Sequence, residues 1–231
     1  HLYDDILLRG KSVNRVAFIT TLSGYIHYLL TGEKIIGIGD ASGMFPIDSA
    51  TLYYNRAMLD KFNSLISEHG INFKIEDILP RPISAGKCGG YLTKEGALLL
   101  DPTGKLMSGI PLCPPEGDGA TGLVSTNTLS PGQGNVSAGT SIFSMLILEK
   151  NLLSAYRNID SVVTPSGLPV AMVHASTCTT DIDSWVKLFS EAYESVGKKL
   201  SKTEQYSLFY KKAMEGDADC GGLVSYNYCS S

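Results

Sequence analysis

The sequence has few cysteines, and no two of them lie close together. The five cysteines are Cys88, Cys113, Cys178, Cys220 and Cys229, an odd number without a C-x-x-C pair. A disulfide framework needs paired cysteines, and a structural zinc site usually needs pairs at short spacing. The pattern therefore excludes a disulfide-rich secreted domain and favours a reducing, cytoplasmic location.

Long apolar runs and clusters of basic residues are also missing. No stretch reaches the roughly 18 consecutive apolar residues of a membrane-spanning helix, and His1–Asp5 does not resemble a signal peptide. The formal net charge is −4 and the 19 Lys and Arg residues are scattered, unlike a nucleic-acid-binding surface. We expect neither a nucleic acid nor a membrane as partner. Because the chain does not begin with Met, we also expect residues upstream of it.

Hydrophobic residues make up 43% of the 231 residues, enough for the core of one large domain or two small ones. In the first half, an apolar stripe over residues 13–30 predicts a helix that ends at Gly32. A second helix, capped by Asp48, is predicted to run to Gly70. The glycine-rich segment GIGDASGMFP (residues 37–46) between them predicts an ordered loop.

The second half predicts strands followed by helices. Thr128–Gly134 (TLSPGQG) is the best linker candidate. Two strands are expected around the turn Gly139–Ser141, and a third over residues 169–174. Thr179 or Thr180 is expected to cap a helix, and Ser201-Lys-Thr-Glu204 is a capping box that opens another. A last apolar run covers residues 223–228. Together these patterns predict an α/β fold.

Asp118 is the first candidate for chemistry. It follows a short apolar run at Ile110–Pro115, predicted as a buried strand, and it lies between Gly117 and Gly119 at the start of a predicted helix. Ligands of α/β folds bind near the carboxyl ends of strands, and glycines allow a substrate to approach the backbone. A carboxylate there can accept the proton of an attacking hydroxyl. The local sequence by itself favours the alternative, an ordinary helix cap or turn aspartate.

Three further segments carry weaker signals. The turn Gly139-Thr140-Ser141 offers amides and hydroxyls that suit an anion, although ordinary hairpins use the same residues. The chain contains no Walker A motif. The loop Asp40–Gly43 is either substrate-facing or a simple Asx turn. His174 and Cys178 are four residues apart but straddle a strand-to-helix junction, which argues against a shared metal or nucleophilic site.

Read in order, these segments resemble the FGGY family of carbohydrate kinases over nearly the whole chain. The ordered set of landmarks is more specific than any single motif. It comprises Tyr25–Gly32, Gly39–Asp48, Leu79-Pro80, Ala85-Gly86, Gly90–Thr93, Thr103–Leu106, Gly109–Leu112, Gly117-Asp118, Ala138–Ser141, Thr177–Trp185 and Gly216–Leu223. The xylulokinase-like and gluconate-kinase-like members are the most similar.

The resemblance implies a partial actin-like (ribonuclease H-like) ATPase fold, whose two domains close around sugar and ATP. Residues 1–128 would be the C-terminal part of domain I, on the sugar-binding side, and residues 129–231 the N-terminal part of domain II, on the nucleotide-binding side. The implied reaction is transfer of the γ-phosphate of ATP to a hydroxyl of a small sugar, sugar acid or polyol.

The resemblance also implies a role for particular residues. Asp118 would be the catalytic base, and Asp118 and Gly119 would contact the sugar. The remaining predicted site residues would bind ATP, with Mg²⁺ neutralising its phosphates and no metal ligand from the protein; they are Gly139, Thr140, Ser141, Thr179, Thr180 and Ser184.

Some parts of the family pattern are missing from this sequence. The N-terminal phosphate hairpin and the glycine-rich adenine loop of the family are absent, so we expect the chain alone to be inactive and prone to self-association, for example as a homodimer. Gly119 also stands where many members have a sugar-binding side chain, which leaves the choice of sugar open. Two alternatives remain: a non-catalytic regulatory protein of the same fold that binds nucleotide or sugar, and a hydrolase with Cys178 or Ser141 as nucleophile.

Overall fold

The computed structural model describes residues 2–224. Its chain divides into two compact units. The first unit comprises His1–Asn135 and Met145–Met172, and the second comprises Val136–Ser144 and Val173–Ser231. The mixture of helices and strands confirms the predicted α/β class. The domain boundary between residues 128 and 129 stays a prediction.

The helices of the first unit are short. They are α1 (Leu2–Arg9), α2 (Leu22–Thr31), α3 (Ile38–Met44), α4 (Arg56–Ser67), α5 (Ile75–Ile78), α6 (Lys94–Leu100) and α7 (Asp118–Ser125), with a 3₁₀ turn at Gly10–Arg15. Side-chain oxygens begin three of them: Thr21, Asn55 and Thr93 accept hydrogen bonds from the amides of Gly24, Met58 and Gly96, which satisfies otherwise unpaired helix N–H groups.

Three small strand pairs belong to the first unit. The parallel pair joins β1 (Ile35–Gly37) to β4 (Arg81–Ile83), with Ile35 opposite Arg81. The antiparallel pairs join β2 (Ile47–Asp48) to β3 (Tyr53–Tyr54) and β5 (Gly90–Tyr91) to β6 (Pro111–Leu112). Strand β1 is buried at all three positions.

The core of the first unit surrounds β1 and α3. Its main cluster includes Ile36, Ala41, Tyr54, Leu59 and Ile75, all less than 4% exposed. The Tyr54 hydroxyl donates a hydrogen bond to the Pro80 carbonyl oxygen at 2.9 Å, so that this buried polar atom is paired as burial requires. This core fixes the strand and the helix that lie next to the Asp118 turn.

A four-stranded sheet has the order β7-β8-β10-β9, from β7 (Gly134–Ala138), β8 (Ile142–Ile147), β9 (Asp160–Val163) and β10 (Pro169–Ala175). Strands β9 and β10 are antiparallel, with Pro169 opposite Val163. The predicted strands on either side of residues 139–141, and the predicted strand at 169–174, are confirmed.

The second unit carries two longer helices, α8 (Thr179–Ser195) and α9 (Lys202–Met214), followed by a 3₁₀ turn at Cys220–Gly222. The predicted capping box is confirmed, because the Ser201 hydroxyl accepts from the Glu204 amide while the Glu204 carboxylate accepts from the Ser201 amide. The cap of α8 is Cys178, without a side-chain hydrogen bond, so a cap by Thr179 or Thr180 was wrong. Most of the apolar run at 223–228 lies outside the described residues.

Several predictions in the first unit were wrong. The helix expected over 13–30 begins only at Leu22, although it does end at Gly32, whose φ of +76° suits glycine. Asn55, not Asp48, caps the next helix. Residues 38–44, predicted as loop, form α3. Gly39 serves close packing instead: a Cβ added there would lie 2.7 Å from the Cβ of Ala120, so tertiary contacts override helix propensity.

Candidate active site

Asp118 is the first residue of α7, as predicted, and its side chain is exposed. Its Oδ1 accepts a hydrogen bond from the Gly119 amide at 2.9 Å. A carboxylate is favoured at this position because the helix dipole is positive there. The preceding strand β6 ends at Leu112 and is only partly buried, so the prediction of a buried strand leading into Asp118 was wrong.

The two residues before Gly117 join this turn to the core of the first unit. The Gly37 amide at the end of β1 donates to the Pro115 carbonyl oxygen at 2.6 Å. The Glu116 carboxylate accepts two more hydrogen bonds, from the Gly39 amide to Oε1 at 3.0 Å and from the Asp40 amide to Oε2 at 2.7 Å. We refer to this pair of bonds as the Glu116 contact. It links residues 76 and 77 positions apart in sequence.

Glycines at positions 37 and 39 leave room for the glutamate. A Cβ added at Gly37 would overlap the Glu116 side chain, and one added at Gly39 would lie 2.9 Å from Glu116 Oε2. Neither glycine has a positive φ in the structure, so their role here is space and not backbone freedom. The carboxylate can therefore lie directly against the main chain of the β1–α3 junction.

Burial raises the pKa of Glu116 to about 7, because the charged form loses contact with water. The two amide hydrogen bonds act in the opposite direction, and the nearby Asp40 carboxylate adds to the increase. Asp40 is itself hydrogen-bonded, since its Oδ2 accepts from Thr21 Oγ1 at 2.7 Å and from Ser23 Oγ at 2.6 Å. Asp40 also borders Gly117, where an added Cβ would lie 3.2 Å from Asp40 Oδ1.

In the second unit, the turn at residues 139–141 is bonded to the start of α8. The Gly139 carbonyl oxygen accepts from the Thr179 amide at 3.1 Å, and the Thr140 carbonyl oxygen accepts from the Cys178 amide at 2.9 Å. The Gly139 amide donates to the Ser141 carbonyl oxygen at 2.8 Å. The structure thus brings together three predicted nucleotide-binding residues of the turn and the predicted residue Thr179.

The other two predicted nucleotide-binding residues lie farther along α8. Thr180 and Ser184 are exposed, and the Ser184 hydroxyl donates to the Thr180 carbonyl oxygen at 2.8 Å. That bond stays within the helix, so it gives no indication of a ligand role. Asp118 and Gly119 belong to the first unit, whereas the residues predicted to bind ATP belong to the second.

The turn at 139–141 has a donor set that fits a phosphate group. Thr140 is exposed, and neither the Thr140 nor the Ser141 hydroxyl is hydrogen-bonded to another described residue. Small side chains and free hydroxyl donors are what an anion needs. Within residues 2–224, no group of three His, Cys, Asp or Glu side chains is placed to hold a metal ion.

The alternative nucleophiles gain no support from this geometry. His174 is part of β10 and Cys178 precedes α8. Within the described part of the chain, neither the Cys178 thiol nor the Ser141 hydroxyl is hydrogen-bonded to a histidine, whereas His27 and His69 are bonded to Gly89 and Tyr3. A hydrolytic nucleophile needs such a base within reach.

Sequence reasoning missed Glu116, Thr21 and Ser23. Glu116 lies two residues before the candidate base, and its position between Pro115 and Gly117 was the only available signal. Its partners are amides far away in sequence, which no local motif reveals. Asp40, considered either as substrate-facing or as part of a simple Asx turn, lies beside the Asp118 turn and is hydrogen-bonded by Thr21 and Ser23; a substrate-facing role stays a prediction.

Comparison with known proteins connects this arrangement to sugar kinases. Residues 134–231 match the C-terminal domain of the FGGY family of carbohydrate kinases. No curated protein matches the chain.

Among solved structures, the chain is similar to xylulose kinase from Rhodospirillum rubrum, with 18% identity and a TM-score of 0.67 over 95% of this chain and 40% of that one. Ligand-bound xylulose kinase from Lactobacillus acidophilus gives 15% identity and a TM-score of 0.66, over 96% and 41%. Plasmodium falciparum glycerol kinase with ADP gives 14% and 0.56, over 80% and 35%.

At these identities the solved structures establish the fold, and they confirm the predicted actin-like ATPase fold. The chain spans about 40% of the length of the first of them. The family match covers the segment with the 139–141 turn, and the shared fold covers almost all the rest. The FGGY family is therefore matched over residues 134–231, and almost the whole chain shares the fold of the solved sugar kinases.

Proposed function

We propose that this chain is part of an ATP-dependent kinase that phosphorylates a hydroxyl of a small sugar, sugar acid or polyol, with Asp118 as the catalytic base. The observation that carries the proposal is the setting of Asp118: an exposed carboxylate at the start of α7, on a turn bonded to the buried strand β1. The similarity to xylulose kinases supports a xylulose-like substrate, and the sequence resemblance keeps a gluconate-like substrate as the alternative.

In the proposed reaction, Asp118 accepts the proton of the attacking hydroxyl. The hydroxyl oxygen forms a bond to the γ-phosphorus as the bond from that phosphorus to the bridging oxygen breaks, and ADP leaves. ATP would supply the phosphoryl group, and Mg²⁺ would neutralise the negative charge of its phosphates. Gly119 has no side chain, which lets the sugar approach the main chain beside the base.

The second unit would hold the nucleotide. The hydroxyls and amides of Thr140 and Ser141 would donate to phosphate oxygens, with Gly139 allowing close approach. Thr179, at the start of α8 and bonded to Gly139, would support this turn, while Thr180 and Ser184 would face the nucleotide from the next turns of the helix.

The test is ATP consumption by the complete natural protein that carries this chain, with a panel of ketoses, pentitols and gluconate. We expect consumption with one class of sugar. Asp118→Asn should lower kcat by about 10²- to 10⁴-fold, because a positioned base contributes that much, while nucleotide binding is retained. Asp60→Asn, which removes another exposed carboxylate, from α4 and paired with Arg56, is the control and should leave kcat unchanged.

Two outcomes would contradict the proposal. Full activity of Asp118→Asn would remove this residue as the base. Measurable ATP binding without consumption of any sugar would favour the regulatory, non-catalytic alternative. The 231-residue chain assayed in parallel should be inactive, because it spans about 40% of the length of the xylulose kinase it resembles. Phosphorylation of any sugar by this chain alone would refute the expectation that it is inactive.

The cellular setting completes the proposal. The four described cysteines are free thiols, which agrees with the cytoplasmic location proposed from the sequence. No helix among residues 2–224 is long and apolar enough to cross a membrane. Self-association as a homodimer remains a prediction, and sedimentation of the chain as a monomer at high concentration would contradict it.

A further inference from the structure

Asp118 has little to hold it in place apart from its own turn. Its carboxylate accepts only the amide of the next residue among the described residues, and its side chain is exposed. A catalytic base must nevertheless be held within a fraction of an ångström of its working position, since a misplacement of about 1 Å can cost on the order of 10²-fold in rate. The fixed position must therefore come from the backbone just before it.

The residues before Asp118 are held at three hydrogen bonds. The Pro115 carbonyl oxygen accepts from the Gly37 amide, and the Glu116 contact adds the amides of Gly39 and Asp40. All three donors belong to the junction of β1 and α3, which packs in the core of the first unit. Pro114 and Pro115 further restrict the backbone on the N-terminal side.

We propose that Glu116 is the positioning residue for Asp118, because its carboxylate fastens the turn that carries the base to the buried β1–α3 junction. This inference rests on the proposed function. Glu116 does not touch the substrate in this role; it acts through Asp118. Gly37 and Gly39 are required for the Glu116 contact, because side chains at these positions would occupy the space of the carboxylate.

The role requires the carboxylate form of the side chain. Two oxygens that both accept can satisfy two N–H donors, whereas the amide of a glutamine offers one acceptor and places its NH₂ group against the second N–H donor. A glutamine at this position therefore keeps size and shape but loses one of the two bonds. This makes Glu116→Gln the appropriate variant, assayed at pH 8, where the wild-type group is ionised.

The matched control is Glu76→Gln in the same unit. Glu76 is also a largely buried, hydrogen-bonded glutamate, with its side chain 19% exposed and partners Asn63 and Arg56. It is bonded to neither the β1–α3 junction nor the Asp118 turn. Both glutamine variants remove a hydrogen-bonded carboxylate, but only one of them touches the turn that carries the base.

The experiment measures steady-state kinetics of the complete protein with the sugar identified above. We expect Glu116→Gln to lower kcat by about 10- to 100-fold, with the KM values for ATP and sugar changed by less than about threefold. Glu76→Gln should keep kcat within about twofold of wild type. Urea unfolding of each variant establishes that it is folded under the assay conditions.

A double variant separates positioning from a merely structural role. If Glu116 acts through Asp118, adding Glu116→Gln to Asp118→Asn should cost nothing further, because coupled residues are not additive. A further tenfold loss in the double variant would overturn the inference, as would a folded Glu116→Gln enzyme with wild-type kcat.

If Glu116→Gln does not fold, the variant Glu116→Asp tests the inference in its place. Glu116→Asp keeps the charge but is one methylene shorter, so it should fold and still show a reduced kcat; a folded Glu116→Asp enzyme with wild-type kcat overturns the inference. If the wild-type protein phosphorylates no sugar, the proposed function fails and the inference fails with it. Wild-type activity combined with an unaffected Glu116→Gln refutes the inference alone.

Discussion

The two units hold their candidate site residues in different ways. In the first unit, a largely buried carboxylate fastens the Asp118 turn to the amides of Gly39 and Asp40, in the first turn of α3. In the second unit, the 139–141 turn is fastened by main-chain hydrogen bonds to the first residues of α8. Of the described residues in the second unit, only Val186 and Ser190 are buried.

This difference indicates which turn is the more rigid. Hydrogen bonds supported by a packed core open less easily than bonds exposed to solvent. A base that must be fixed before the reaction benefits from the first arrangement, whereas a turn that has to admit and release a nucleotide benefits from the second. The comparison can be tested by perturbing each turn and measuring whether stability or ligand binding responds.

The largest expected effect is a pH dependence of stability that belongs to Glu116. Its pKa is raised to about 7 from an ordinary value of 4.5, so the folded state binds the proton more tightly than the unfolded state. Protonated Glu116 therefore contributes to the free energy of unfolding. This contribution is complete below pH 4.5 and is lost as the pH rises through 7. Between pH 5 and pH 8, wild type should lose about 2–3 kcal/mol more than Glu116→Gln.

Urea unfolding of both proteins at the two pH values measures this difference, and subtracting the Glu116→Gln data removes the titration of other groups. Asp40 is the charged neighbour that contributes to the raised pKa, so Asp40→Asn should reduce the difference without abolishing it. Equal pH dependence in wild type and Glu116→Gln would mean that the carboxylate is not desolvated.

A smaller loss is expected from Gly37→Ala, which places a methyl group in the space of the Glu116 side chain. Overpacking of this kind costs about 1–3 kcal/mol. Gly43→Ala is the control in α3, because an added Cβ there meets nothing within 4 Å and alanine favours a helix by about 0.5–1 kcal/mol over glycine. If thermal unfolding shows equal effects for the two variants, the side chain of Glu116 does not fill that space.

The smallest effect on stability is expected in the 139–141 turn. Thr140→Ala removes an exposed hydroxyl that has no partner among the described residues, so unfolding should change by less than about 0.5 kcal/mol. Affinity for ATP, measured by calorimetry on the complete protein, should fall by about 5- to 10-fold because one neutral hydrogen bond to the ligand is lost. Thr203→Ala on α9, also exposed, is the control and should alter neither quantity.

The same contrast explains what the sequence could predict. The capping box Ser201–Glu204 and the strand–turn–strand around Gly139 are local patterns, and the structure confirms both. Helix α3 was missed because its glycines are unfavourable for a helix in isolation, and the contacts of Gly39 with Glu116 and Ala120 cannot be seen from the local sequence. Asp118 was found at its helix start, but Glu116 was not, because its partners are 76 and 77 residues away.

The Glu116 contact also constrains how such a protein can change over evolutionary time. A side chain at position 37 or 39 occupies the space of the carboxylate, and loss of the carboxylate leaves two amides of the β1–α3 junction without acceptors. The cost of a substitution at any of these three positions should therefore depend on the residues at the other two. An evolutionary path that begins with a larger residue at position 37 would pass through an intermediate in which the Asp118 turn is poorly placed. Positions 37, 39 and 116 should therefore change together in evolution, although they are far apart in the sequence.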